Sequence, residues 1–238
     1  MPDTSIAGLL PDSAFLRRTM VDCQIRTFDV TDQTLLARLL EVPREEFLPE
    51  DLASLAYSDA SLQVKTSEPG AKTRTLLPPL VLARLIQGAD VLASDKVLDV
   101  APGIGYSTAL LAGLAGAVVS LESDPALLAT TRANLDGFGL ARVRTLLGPL
   151  AEGAPKEAPF DVIFVNGAVE ANLDQLLAQL REGGRLVAIQ RQPDDPTGGA
   201  SKAVRYERID GATGYRVLFD ASAPVLDAFR KAEEFTFS

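Results

Sequence analysis

Hydrophobic positions fall into two rhythms along this chain. In its first part they recur at helical spacing; from residue 97 onward, short unbroken apolar runs alternate with helical stripes. The first 12 residues carry no stripe and are expected to fray. Between 13 and about 27, Phe15, Leu16, Met20, Cys23 and Ile25 form an imperfect apolar stripe that predicts a helix, with Arg17, Arg18, Asp22 and Arg26 left to solvent. Cys23 is expected on the inner face, as a small buried hydrophobe. A second helix starts at Thr31 or Asp32, either a suitable N-cap, and turns Leu35, Leu36, Leu39 and Leu40 inward. Pro43 stops it, because proline disfavours helix at the residue before it. A short helical turn follows around 51–56. Residues 58–75 are polar, carry Pro69-Gly70 and read as a long loop. Pro79 then opens a helix lined by Leu80, Val81, Leu85 and Ile86, ending near Gly88.

The second rhythm predicts strands and helices in alternation. Strands are expected at 96–100, 117–121, 143–147, 160–165 and 185–189. Helices are expected at 107–114, from Asp124-Pro125 to about 135, and at 172–180 before Gly183-Gly184. The stretch 191–201 is rich in Pro, Gly and Asp, a loop signature. Runs at 204–209 and 215–219 flank a turn and read as an antiparallel hairpin. Such alternation implies an α/β, Rossmann-like doubly wound sheet, mostly parallel. It divides the chain into an N-terminal helical subdomain with a substrate loop, 1–90, and a Rossmann-like domain, 91–238. Phe235 and Phe237 alternate near the end and are expected to pack on the chain's own sheet.

Composition narrows the partners. Hydrophobic residues make up 47% of 238, enough for a packed core. The formal charge of −9 lacks the footprint of a protein that grips phosphate backbones, so nucleic acid is not expected. One cysteine permits no internal disulfide and fits a reducing compartment. Histidine is absent, which removes the commonest general base and zinc ligand together, and no metal site is expected. The opening Met1-Pro2-Asp3-Thr4-Ser5 has no basic segment followed by an apolar one, and no run reaches membrane-spanning length. A soluble, cytoplasmic chain without membrane contact is expected.

Candidate chemistry centres on Lys96-Val97-Leu98-Asp99-Val100-Ala101-Pro102-Gly103-Ile104-Gly105-Tyr106, a buried strand, a glycine turn and a helix start. Gly103 and Gly105 allow close backbone approach to a ligand, and the helix start supplies unpaired N–H groups. A dinucleotide fingerprint needs three glycines; here Ala101 and Thr108 fall at the outer positions, which disfavours a nicotinamide oxidoreductase. What remains looks like the first motif of class I methyltransferases. Glu122 ends the next strand, about twenty residues on, where an acid can accept both ribose hydroxyls of an adenosyl group. Asp99 either faces the cationic methionine end or caps the turn's own N–H groups. Asn166 ends the fourth strand, where contacts gather in open α/β sheets. Asn166-Gly167-Ala168 is not the Asn/Asp-Pro-Pro-Tyr expected for methylating exocyclic amines of bases.

Over nearly its whole length the chain resembles the protein-L-isoaspartate (D-aspartate) O-methyltransferases. Met20-Val21 with Gln24-Ile25-Arg26, Val42-Pro43-Arg44-Glu45-Glu46-Phe47-Leu48-Pro49-Glu50 and Leu55-Ala56-Tyr57-Ser58-Asp59 carry the N-terminal match. The glycine turn, Pro159-Phe160-Asp161 and the Gly-Gly-Arg-Leu strand carry the rest. The resemblance implies S-adenosylmethionine as cofactor and a protein or peptide carboxylate as methyl acceptor. It implies cofactor contacts at Asp99, Ala101, Gly103, Gly105, Glu122, Gly148 and Asn166. The family's Gly-Gln-Thr-Ile-Ser-Gln-Pro signature aligns with Arg74-Thr75-Leu76-Leu77-Pro78-Pro79, so Thr75 and Pro79 match while Leu77 replaces the serine and Pro78 the second glutamine. Thr75 is thereby the candidate catalytic residue. The acid expected on the adenine side is Pro149, after Gly148. These departures define the alternative, a non-catalytic binding protein on the same fold. A carboxylate acceptor is ionised at neutral pH, so no general base is required and a histidine-free chain suffices.

Overall fold

The computed structural model describes residues 12–65, 73–191 and 201–231. The expected fraying of the N-terminus (through residue 11), the Pro69-Gly70 turn, most of the 191–201 loop and the Phe235/Phe237 alternation lie outside them. Helix α1, Ser13–Thr19, is capped by the Asp12 carboxylate on the Ala14 N–H. The chain continues through a wider π turn, Met20–Ile25, and a short 3₁₀ turn, Arg26–Phe28. The π turn explains the imperfect stripe. Widening the helix rotates Met20, Val21 and Ile25 inward together, while Phe15 stays 61% exposed. Cys23 is exposed as well, so the expectation of a buried thiol is corrected.

Helix α2, Gln33–Glu41, is capped by Asp32, whose carboxylate accepts from Thr34 and Leu35. A 3₁₀ turn, Arg44–Phe47, and the one-turn α3, Glu50–Ala53, lead into a stretch that differs from expectation. Where the sequence suggested only loop, β1 (Leu62–Val64) and β2 (Arg74–Leu76) pair antiparallel, with Leu62 opposite Leu76. Alternation over three residues is too short to read as a strand from pattern alone. Helix α4, Pro79–Ala89, follows with proline in its first turn.

The rest alternates in the expected order: β3 Lys96–Val100, α5 Tyr106–Ala112, β4 Ala117–Glu122, α6 Pro125–Gly137, β5 Arg144–Leu147, β6 Phe160–Val169, α7 Asp174–Ala178, β7 Leu180–Arg191, β8 Ser201–Ile209 and β9 Ala212–Asp220. One boundary differs: β7 starts at Leu180, so Gly183-Gly184 lie inside the strand and do not close a helix. The seven-stranded sheet runs β5-β4-β3-β6-β7-β8-β9. Pairings from β5 to β7 are parallel, and β8 and β9 add antiparallel. β3 is the switch point, since the chain winds to β4 and β5 on one side and returns to β6 and β7 on the other. Both faces of the central strands are covered. Val97, Val162 and Phe164 enter the core shared with the N-terminal helices and α4. Leu98, Ile163 and Val165, one residue out of phase, enter the core with Leu173, Leu176 and Phe229. Among the described residues, no helix is long and apolar enough to cross a membrane.

A buried ion pair fastens α4 to the sheet. Arg185 on β7 donates from Nε to the Ala89 carbonyl (2.5 Å) and from Nη2 to Asp95 Oδ2 (2.6 Å) and the Asp90 carbonyl. Asp95 in turn accepts from the Leu92 N–H at 2.7 Å. Replacing Arg185 with methionine strands a fully buried carboxylate and is expected to cost about 3–5 kcal/mol in denaturant unfolding. Arg181→Met, at the half-exposed pair with Asp161, is expected to cost less than about 1 kcal/mol.

Candidate functional site: a glycine turn and a buried carboxylate

The end of β3 and the turn after it form the floor of the site. Ala101, Gly103 and Gly105 have φ of 58°, 68° and 89°. These are left-handed values that glycine adopts without penalty and alanine does not. The turn is packed from both sides. A Cβ on Gly103 would lie 3.3 Å from Arg74 Cβ, and one on Gly105 would lie 3.1 Å from Thr131 Cγ2. Thr131 Oγ1 on α6 donates to the Gly103 carbonyl at 2.9 Å.

Asp99 is wholly buried under this turn. Its Oδ2 accepts from Ser107 Oγ (2.8 Å) and Thr108 Oγ1 (2.6 Å), and its Oδ1 from Asn166 Nδ2 (2.6 Å). Asn166 Nδ2 also donates to the Val100 carbonyl at 3.1 Å, tying β6 to β3. Asp99 therefore serves the protein's own hydroxyls and amide in this structure. Burial raises its pKa to about 6 despite the three hydrogen bonds, with the nearby Glu122 charge adding to the rise.

Glu122 stands at the carboxyl end of β4 with no exposed surface. Its Oε1 accepts from the Ser123 and Asp124 N–H groups at 2.7 and 3.2 Å, and its Oε2 from the Gly103 N–H at 3.3 Å. The carboxylate thus reaches the glycine turn, as the spacing predicted. A partner occupies it. Arg74 on β2 donates from Nη2 to Oε1 (2.5 Å) and from Nε to Oε2 (3.2 Å), and Nη2 also reaches Ser123 Oγ (2.9 Å). No pattern in the sequence marks Arg74, because the strand that turns it inward with Leu76 is only three residues long.

The remaining expected residues divide. Gly148 joins the site through its backbone, its N–H donating to the Glu122 carbonyl at 3.0 Å. Pro149 begins the following 3₁₀ turn. Thr75 is half-buried and lines a small cavity, about 10 Å³, with Arg44, Leu77, Tyr106 and Asn166. Arg44, which pattern reading did not single out, is fully buried and lies over the Tyr106 ring at 4.9 Å. Its Nη2 donates to the Leu77 carbonyl at 3.0 Å. Burial lowers its pKa and raises that of Tyr106 to about 12. A second cavity, about 70 Å³, touches Thr73, Arg74, Thr75, Asn166 and Gly167. The Glu122 carboxylate has the acceptors that a ribose diol needs, beside a turn whose glycines permit close backbone approach. Arg74 holds that carboxylate here, and the two cavities are far below the roughly 300 Å³ of small-molecule sites.

A doubly wound sheet with a glycine turn at its switch point and an acid ending the next strand is the class I methyltransferase arrangement. Residues 17–213 match the sequence model described as Protein-L-isoaspartate(D-aspartate) O-methyltransferase (PCMT). A protein-L-isoaspartate O-methyltransferase of Bordetella avium is 38% identical over 223 residues, 92% of this chain and 79% of the relative. That of Methanoculleus marisnigri is 36% identical over 172 residues, 72% of this chain and 76% of the relative. A solved protein-L-isoaspartate O-methyltransferase superposes with TM-score 0.73 at 22% identity, covering 90% of this chain and 66% of that one. The chain belongs to the protein-L-isoaspartate(D-aspartate) O-methyltransferase family.

Asp99 yields a measurable consequence. The folded protein holds this proton more tightly than the unfolded chain, whose carboxyl titrates near 3.8. Its contribution to stability is therefore greatest below about pH 4 and falls as pH rises through about 6. The Asp99 side-chain carboxyl carbon is expected to titrate near pH 6 by NMR; a midpoint near 4 would remove the burial effect.

Proposed function

We propose that this chain transfers a methyl group from S-adenosylmethionine to a side-chain carboxylate of a protein substrate, an isoaspartyl residue above all. Membership in a family of O-methyltransferases favours the enzyme over a non-catalytic binding protein on the same fold. The observation that carries the reading is Glu122, a buried carboxylate in contact with the glycine turn. A related fold, the Plasmodium falciparum protein-L-isoaspartate O-methyltransferase, was solved with S-adenosyl-L-homocysteine (TM-score 0.70, 18% identity, 92% of this chain and all of that one).

The cofactor, when bound, supplies an electrophilic methyl group on a sulfonium. Glu122 would accept from the ribose hydroxyls, with Ala101, Gly103 and Gly105 shaping the backbone beneath. Asp99, held by Ser107, Thr108 and Asn166, would brace the turn from beneath the methionine end, and Gly148 would border the adenine side. Thr75 and Leu77 line the acceptor side with Arg44 behind them. The chain's work is to bind and orient, because the acceptor carboxylate is already ionised at neutral pH and needs no base. An acidic chain with one cysteine suits a cytoplasmic enzyme acting on proteins rather than nucleic acid.

The deciding assay follows labelled methyl from S-adenosylmethionine into base-labile ester on an isoaspartyl peptide, with the ordinary aspartyl peptide as control. Ester is expected on the isoaspartyl peptide alone, and Leu77→Ser is expected to raise its yield. No ester from either protein would overturn the assignment. Glu122→Gln is expected to weaken S-adenosylhomocysteine binding by about 1–3 kcal/mol in calorimetry, the loss of charge-assisted hydrogen bonds.

A further inference from the structure

The carboxylate that should receive a ribose diol already has an occupant from the same chain. Arg74 offers two N–H donors, Nε at 3.2 Å from Oε2 and Nη2 at 2.5 Å from Oε1, one to each oxygen of Glu122. A diol would offer two O–H donors to the same pair. The two sets compete for the same lone pairs, and the arginine brings a full charge that a diol lacks. Both partners of the ion pair are buried, with side-chain exposures of 7% and 0%. The Arg74 side chain also lies against the turn, with Cβ and Cγ 3.3 and 3.6 Å from the place a Gly103 Cβ would take. It thus covers the glycine surface that an adenosyl group would approach.

We infer that Arg74 is a built-in occupant of the ribose seat, and that an adenosyl ligand binds this chain only by displacing it. The inference rests on the cofactor reading above and adds a residue that sets cofactor affinity. Arg74 is a specificity-determining residue. A ligand lacking a diol gains little from its removal, because nothing in such a ligand uses the vacated oxygens.

Calorimetry with S-adenosylhomocysteine on the full chain tests this directly. Arg74→Gln removes the charge at similar length and is expected to bind at least tenfold more tightly than the parent protein. Arg74→Lys keeps the charge, loses the two-point contact and is expected to fall between them. With adenosine the gain persists; with 2′,3′-dideoxyadenosine it shrinks to less than threefold. In the parent protein, the Arg74 Nε–H resonance is expected to move on saturation with S-adenosylhomocysteine. That measurement and the lysine variant keep the test open should the glutamine variant fail to fold. Equal affinities across the three proteins, or an Nε–H signal unmoved by bound ligand, would overturn the inference while leaving the methyltransferase reading standing. No binding by any of them would also overturn it, since Arg74 would not be what keeps the nucleoside out. Tighter binding by Arg74→Gln without methyl ester on the isoaspartyl peptide would support the inference and count against the proposed reaction.

Discussion

A charge buried without water has to be answered by the protein, and Glu122 imposes that demand on everything around it. Ionised carboxylates pay several kcal/mol to leave water unless donors surround them. Here the donors come from three places: the N–H groups opening the Asp124 cap, the Gly103 N–H in the turn, and the Arg74 guanidinium. Each fixes something larger than itself. The cap sets where α6 begins, the turn sets how β3 passes into α5, and the arginine holds the short β2 strand across the crevice. Leu76, next on that face, then closes over the glycine turn.

The sheet was legible because burial on both faces leaves little room for polar residues away from the site. Val162-Ile163-Phe164-Val165 is unbroken in sequence since alternate members serve opposite cores. Caps were equally plain, as Asp32 and Asp124 both sit where their carboxylates meet the first free N–H groups. Legibility failed where geometry departs from a regular period. The π turn at Met20–Ile25 shifts the inward face, so Cys23 falls outside and Val21 inside. The strands β1 and β2, three residues each, offer too little alternation to declare themselves.

The site divides along the same line. Asp99, Gly103, Gly105, Glu122 and Asn166 lie within one continuous network of hydrogen bonds and turn backbone, because motif spacing on neighbouring parallel strands fixes their meeting point. Arg74 comes from a distant segment across 48 positions, and no local pattern encodes such a contact. Arg44, 33 positions before the Leu77 carbonyl it binds, was hidden for the same reason.

One side chain gives the N-terminal part a mechanical role. Asn134 on α6 donates from Nδ2 to the Phe47 carbonyl at 3.0 Å and to the Ile104 carbonyl at 2.9 Å. Arg38 on α2 similarly grips the Ala109 carbonyl of α5 at 2.8 Å. The glycine turn and the helix after it are therefore both tied to the N-terminal part, the turn through Asn134, which bridges Ile104 to Phe47, and the helix directly through Arg38. A fragment beginning near residue 91 would keep every strand of the large sheet and the Asn134 bond to Ile104, and lose the ties to Phe47 and Arg38 that hold the turn and α5 from outside. Severing the chain there would separate architecture from rigidity.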